Sequence, residues 1–71
     1  MDLEEAKLIM RGCADVNVHL NNIALIVDTI DDVDLQKKLR VELSNAMGEI
    51  YLSLMRPIVK NFPEIDPDFE I

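Results

Sequence analysis

The sequence has few of the residues that small domains use for cross-links and turns. It contains one cysteine, Cys13, so no internal disulfide can form, and only two glycines, three prolines and three aromatic residues. Chains below about 70–80 residues without disulfides or metals rarely build a sufficient core alone. A single thiol is typical of a reducing compartment. We therefore expect a cytoplasmic protein that gains stability from a partner.

Long apolar runs are also missing. The longest is Ile23–Val27, far short of the ~20 residues that span a bilayer. The opening segment Met1–Glu5 is acidic, whereas a secretory signal begins with basic residues. The sequence predicts neither secretion nor membrane insertion.

Positive charge is scarce. Seven Lys and Arg residues stand against fourteen Asp and Glu residues, which gives a net charge of −7. A polyanion repels nucleic-acid phosphates and anionic lipids. We expect no nucleic-acid and no membrane partner, and we favour a protein partner.

What the chain does contain is aliphatic residues in helical periodicity. Abundant Leu, Ile, Val, Ala and Met with little turn chemistry predict an all-α fold. The pattern predicts an antiparallel helical hairpin with helices over about 3–30 and 33–61. Asp2 and Glu5 predict a capping box for the first helix, and Asp32 or Asp34 predicts the N-cap of the second. Pro57 predicts a kink or break.

In the first helix, large aliphatic residues recur every seven positions and predict the buried stripe. Its centre is Ile9, Val16, Ile23 and Ile30. Flanking positions on the two sides are Cys13, Leu20 and Val27, and Gly12, His19, Ile26 and Val33. In the second helix, spacings of three, four and seven predict a stripe of Leu39, Leu43, Ala46, Met47, Ile50 and Leu54.

Each helix also carries apolar residues on its reverse face. We interpret these as candidate partner-binding residues: Val18, Leu25, Val41, Leu52, Met55 and Val59. A lone hairpin would leave such surface in water, so the pattern predicts that two hairpins pair into a four-helix-bundle homodimer. A tetramer, or a groove for a different protein, is the alternative.

The chain divides into a hairpin over 1–62 and a tail over 63–71. The tail holds two prolines and four carboxylates, which predicts an extended acidic segment.

Catalytic motifs are missing. Asp15 and His19 are four residues apart and could share a metal, but a lone histidine beside a core is more often simply packed. Cys13 lies on the apolar stripe, which predicts a buried, inert thiol. We therefore expect no enzyme activity, no cofactor and no metal. A metal or small-ligand site across a dimer interface is kept as an alternative.

One resemblance bears on function. Asp32-Val33-Asp34-x-Gln36, Leu43 and the Glu49-Ile50-Tyr51 step give the second half of the chain an architecture similar to that of the plasmid copy-number proteins, which hold RNA hairpins as dimers of helical hairpins. The resemblance implies a four-helix dimer and, as an alternative function, RNA binding. That family reads RNA from its first helix with basic, amide and aromatic side chains. The first helix here has only Lys7 and Arg11 as cations and no aromatic residue, so no RNA-binding residues are carried over.

Overall fold

The computed structural model describes residues 1–65 and confirms an all-helical hairpin for them. Helix α1 covers Leu3–Val27 and helix α2 covers Val33–Ile50. A π-helical segment, Tyr51–Met55, follows without a gap, and helix α3 covers Arg56–Asn61. The second predicted helix is therefore three consecutive helical pieces.

The helix starts are made by carboxylates, as predicted. The side chain of Asp2 accepts a hydrogen bond from the Glu5 backbone N–H at 2.8 Å, and the Glu5 side chain accepts one from the Asp2 N–H at 2.9 Å. This is the reciprocal capping box. At α2, Asp32 Oδ1 accepts from the Leu35 N–H at 3.1 Å. Of the two predicted caps for α2, Asp32 is the one used.

Helix α1 ends at Val27, three residues before the predicted end. The N–H groups of Thr29 and Ile30 donate to the carbonyls of Ile26 and Val27 at 3.0 and 3.1 Å. Hydrogen bonds to the carbonyl three residues earlier tighten a helix end and satisfy carbonyls that have no partner within the α-helix. The chain reverses over the acidic residues that follow.

Buried and half-buried residues at spacings of three and four form one face of α1, called here the seam, which packs against α2 and the helical pieces that follow it. On α1 the repeat is Leu3, Ala6, Met10, Cys13, Asn17, Leu20, Ala24 and Val27. On α2 it is Gln36, Leu39, Leu43, Ala46 and Ile50. This alternation is the heptad repeat of coiled-coil packing. The seam confirms most of the stripe predicted for the second helix.

The stripe predicted for α1 is wrong in its centre. Ile9, Val16 and Ile23 are 40, 44 and 46% exposed. On a wheel of 100° per residue they lie about 60–100° from the middle of the seam. The seam includes small and polar residues such as Ala6 and Asn17. The regular repeat of large aliphatic residues therefore lies on the face beside the seam and not on the seam itself.

A π-helical segment directly precedes the turn that holds Pro57, where we predicted a kink or a break. The Arg56 N–H donates to the Tyr51 carbonyl, five residues back, and the backbone keeps right-handed helical angles on both sides. The helix is therefore not broken. The wider π-helical turn instead contains one residue more than the corresponding turn of an α-helix.

That extra residue changes which side chains face α1. A continued α2 repeat would bring Ser53 and Pro57 onto the seam. With the π-helical segment, Met55 and Ile58 are buried at 4 and 6% exposure, whereas Leu54 is 49% exposed. The prediction that Leu54 belongs to the buried stripe is therefore wrong, because Met55 is the residue of the π-helical segment that is turned into the core.

The hydrophobic core lies at the end of the hairpin remote from the turn. It joins Ala6, Met10 and Cys13 of α1 to Met55, Ile58 and Val59 of the chain's last helical pieces. Ile50, Tyr51, Phe62 and Ile65 pack around it. Helix α2 itself contains no fully buried residue.

Of the predicted tail, only Pro63–Ile65 lies within the described residues. The Ile65 N–H donates to the Phe62 carbonyl at 3.0 Å, and the Ile65 side chain packs against the core. The extended acidic segment predicted beyond it lies outside the described residues. Within residues 1–65, no helix combines the length and apolar character needed to cross a membrane.

Candidate interaction surfaces

Apolar surface is the prominent chemical feature of residues 1–65. Thirteen large apolar side chains are exposed, against seven buried core residues. The exposed group includes four of the predicted partner-binding residues, namely Val18 at 57%, Leu25 at 66%, Val41 at 57% and Leu52 at 54%. More large apolar side chains are therefore exposed than are buried in the core.

The other two predicted partner-binding residues lie elsewhere. Met55 and Val59 are 4 and 6% exposed and belong to the core. Their inclusion on the reverse face assumed an uninterrupted α-helix, and the π-helical segment rotates them inward. They offer no surface to a partner.

The four exposed residues do not form one patch. Val18 and Leu25 lie about 100–120° from the α1 seam, on the same side as Asp28, whereas Val41 lies nearly opposite the α2 seam. Leu52 lies within the π-helical segment. The hairpin therefore presents the pair Val18 and Leu25 on α1, and Val41 and Leu52 as separate exposed residues of its second half.

A third apolar surface is the set Ile9, Val16 and Ile23, called here the α1 line. It lies on the opposite side of the α1 seam from Asp28. Sequence reasoning found its seven-residue repeat but assigned it to the intramolecular core. The repeat is present in the sequence, but the core contact that we predicted from it is not made within the hairpin.

The α1 surface near the turn is also free of formal charge. From Val16 to Val27 no Asp, Glu, Lys or Arg occurs. His19, the only titratable residue of this stretch, is exposed, although we predicted it at the edge of the core. Helix α2, by contrast, carries charges of both signs along its length. The uncharged half of α1 is therefore the part of the hairpin least suited to solvent.

Polar side chains at the turn bind the two helices together. Gln36 Nε2 donates to the Val27 and Asp28 carbonyls at 3.2 and 3.0 Å, so an α2 side chain caps the C-terminus of α1. Arg40 Nε donates to Asp28 Oδ1 at 3.0 Å, and a second guanidinium nitrogen contacts the same oxygen. The polar groups of Gln36, Arg40 and Asp28 therefore already have hydrogen-bond partners, and these bonds stabilise the turn.

Beside that ion pair lies an open groove of about 350 Å³. Its lining residues are Asn21, Ala24, Asp28, Arg40, Leu43, Ser44 and Met47. The lining combines an apolar floor with a few polar groups, and its two charges neutralise each other. The groove contains no nucleophile paired with a base.

The residues considered for metal chemistry are dispersed. Asp15 and His19 are exposed, and Cys13 is buried at 5% exposure, as predicted. Within residues 1–65 no three His, Cys, Asp or Glu side chains come close enough to hold a metal ion. Asp15 and His19 therefore lie on the exposed surface of α1, whereas Cys13 lies in the core.

No protein-family model, curated protein or solved structure matches the chain. The feature of the hairpin that bears on function is the set of exposed aliphatic side chains on both of its halves.

Proposed function

We propose that the protein is a small, non-catalytic helical module that self-associates, as a four-helix homodimer, and binds another protein. Two separate exposed sites are the candidate contacts for the second protein, one at Val18 and Leu25 on α1 and one at Val41 and Leu52 on the second half of the hairpin. A reducing, cytoplasmic setting fits the single buried thiol.

The exposed apolar surface carries the proposal. Contiguous apolar surface on a monomer is typical of interaction sites, and each Å² removed from water contributes roughly 25 cal/mol. A core of seven buried residues in residues 1–65 is small for a chain of this size. Pairing two hairpins covers apolar surface that one hairpin leaves exposed.

The disposition of the carboxylates supports a structural role over a catalytic one. Asp2 and Asp32 cap helices, and Asp28 pairs with Arg40 across the turn. Glu4 pairs with Lys7 within α1 at 3.6 Å. These acids are used to start helices and to close the hairpin.

Sedimentation equilibrium tests the self-association. We expect a dimer at micromolar concentration, with helical circular dichroism. A stable, folded monomer under those conditions would contradict the proposal. Helicity and association are measured on the same sample, so unfolding is distinguished from dissociation.

The protein partner is tested with Leu52→Asp. This substitution replaces an exposed apolar side chain with a negatively charged one. We expect the variant to lose a partner that the unmodified protein captures from the source cell. We expect the helicity of the variant to be unchanged. Asn22→Asp adds the same charge at an exposed position on α1 and serves as the control. Collapse of helicity in Leu52→Asp would instead assign Leu52 to the core.

A further inference from the structure

We propose that the acidic segment 66–71 of the chain docks on a basic surface at the end of the hairpin remote from the turn. This surface, called here the basic patch, consists of Lys7, Arg11, Arg56 and Lys60. The inference goes beyond the proposed function, because the contact lies within one chain and depends neither on self-association nor on a second protein.

The turn shows how side chains on the two helices come to share one side of the hairpin. Asp28 directly follows Val27 of the α1 seam, and Arg40 directly follows Leu39 of the α2 repeat. Arg40 Nε donates to Asp28 Oδ1 at 3.0 Å across the two helices, and both residues line the groove. In this antiparallel pair, residues that directly follow inward-facing residues therefore lie on the groove side of the hairpin.

The same relation places the four cations of the basic patch on the groove side. Each of them directly follows a buried residue and is itself exposed. The buried residues, in the same order, are Ala6, Met10, Met55 and Val59, and all four belong to the core. Four cations of a chain with a net charge of −7 are thus gathered beside one core cluster.

Carboxylates within residues 1–65 leave most of this positive charge uncompensated. Lys7 pairs with Glu4 at 3.6 Å, and that pair is exposed. The ion pairs of this part of the chain do not include Arg11, Arg56 or Lys60. A cluster of cations with a single paired carboxylate attracts a negatively charged segment.

The chain itself supplies such a segment at the right place. Asp66, Asp68 and Glu70 directly follow Ile65, and Ile65 packs against the core cluster beside which the four cations lie. Six extended residues span at most about 20 Å, whereas two cations four residues apart on a helix are about 6 Å apart. The three carboxylates are therefore tethered within reach of the basic patch.

The spacing of the charges also matches. In an extended segment, carboxylates at every second residue lie about 6.6 Å apart. Lys7 and Arg11 on α1, like Arg56 and Lys60 on the other side of the core, are about 6 Å apart along their helices. Exposed ion pairs are individually weak, but a short tether raises the effective concentration to the millimolar range, so several weak pairs suffice for docking.

NMR of the full chain tests the contact. The tail-neutral variant combines Asp66→Asn, Asp68→Asn and Glu70→Gln. We expect it to shift the amide and side-chain resonances of Lys7 and Arg11, which are far from the tail in sequence. Raising the salt to about 1 M should move the resonances of the unmodified chain to the same positions, because the screening length falls to about 3 Å.

A matched control neutralises three carboxylates away from the basic patch, with Asp31→Asn, Asp34→Asn and Glu42→Gln. This variant changes the net charge equally, and we expect the Lys7 and Arg11 resonances to keep their positions. Unchanged Lys7 and Arg11 resonances in the tail-neutral variant would overturn the proposal. Shifts that persist at high salt would overturn its electrostatic basis and assign the contact to the apolar residues Phe69 and Ile71.

A spin label tests whether the docked segment belongs to the same chain. The label is attached at Ile71→Cys in a Cys13→Ala background, with folding checked by circular dichroism. We expect it to broaden the amide resonances of Arg11 and Arg56 and to spare Lys37, roughly 30 Å from Arg56 along the hairpin.

The same label distinguishes the two possible sources of the tail. In a mixture, one set of chains carries the spin label and a second, isotopically labelled set carries none and is observed. We expect no broadening in the observed chains. Broadening of their Arg11 and Arg56 resonances would show that the tail of a second copy occupies the basic patch and would overturn docking within one chain. Neither result depends on the oligomeric state found in sedimentation, so failure here leaves the proposed function standing.

Discussion

The two ends of the hairpin are held together by different forces. At the end remote from the turn, six side chains pack into a dry cluster around Met10 and Met55. At the turn, Gln36 and Arg40 of α2 bind backbone and side-chain oxygens at the end of α1, and a groove opens beside them. The first end relies on a cluster of buried apolar side chains, whereas the second combines one buried apolar side chain, Val27, with hydrogen bonds.

This difference indicates what the hairpin needs from a partner. Net hydrogen-bond contributions are modest, about 1 kcal/mol each, whereas a buried aliphatic side chain contributes about 1.5–3 kcal/mol. The turn half has the weaker kind of contact, and it also has the uncharged, exposed stretch Val16–Val27. Covering that stretch would give the turn half the apolar burial that the other end already has.

The strongest test of this comparison removes packing from the core end. Met55→Ala is expected to lower the free energy of unfolding by about 2–5 kcal/mol, because it empties a buried site. Leu54→Ala is the matched control and is expected to change it by less than about 1 kcal/mol, since Leu54 is 49% exposed. Urea denaturation followed by circular dichroism measures both. The reverse order of effects would show that the π-helical register is not formed.

Asn17 lies on the seam between the two ends and gives the next largest effect. Its Oδ1 is buried and has no hydrogen-bond partner within residues 1–65. We expect Asn17→Leu to raise the free energy of unfolding by about 1–3 kcal/mol, by removing an unsatisfied acceptor and adding apolar burial. Asn22→Leu, at an exposed position, should leave it nearly unchanged. Destabilisation by Asn17→Leu would mean that its oxygen is satisfied in solution.

A smaller change is expected from the cap at the turn. Asp32→Ala removes the oxygen that accepts from the Leu35 N–H, and loss of such a cap costs about 1 kcal/mol. Asp31→Ala removes an equal charge next to it without removing a cap. Thermal melts of both variants should show a lower melting temperature only for Asp32→Ala. Equal melting temperatures for the two variants would show that Asp32 contributes through its charge and not through its hydrogen bond to the Leu35 N–H.

The smallest expected effect is at the ion pair. Asp28→Asn keeps the size of the side chain and removes its charge opposite Arg40. Both partners are about half exposed, so we expect a loss of at most about 1 kcal/mol. The loss should shrink as salt is raised, because exposed charges are screened. A large, salt-independent loss would show that Asp28 contributes by packing or by its hydrogen bonds.

Local features were the most predictable from sequence. The capping box at Asp2 and Glu5 and the cap at Asp32 follow from interactions between residues three apart, and the two-helix pattern follows from apolar periodicity. Burial of Cys13 was also predicted correctly. The four exposed residues of the candidate surface were identified by their position on a regular helical wheel, and their role in binding stays a prediction.

The register beyond Ile50 was not predictable in the same way. A wheel assumes 100° for every residue, and one π-helical turn shifts all later residues. That shift removed Met55 and Val59 from the candidate surface and exposed Leu54. The only local sign was Pro57, which indicates an irregular helix without specifying its form.

By itself, the sequence determined that the chain forms two long helices, where each begins, and that they carry more aliphatic surface than one hairpin buries. Capping and periodicity are local, so they are readable in a linear chain. Which aliphatic line faces the other helix was decided only by tertiary structure. Packing selects the face whose small and large side chains fit together, and it placed Ala6, Met10 and Cys13 inside and left Ile9 and Val16 at the surface.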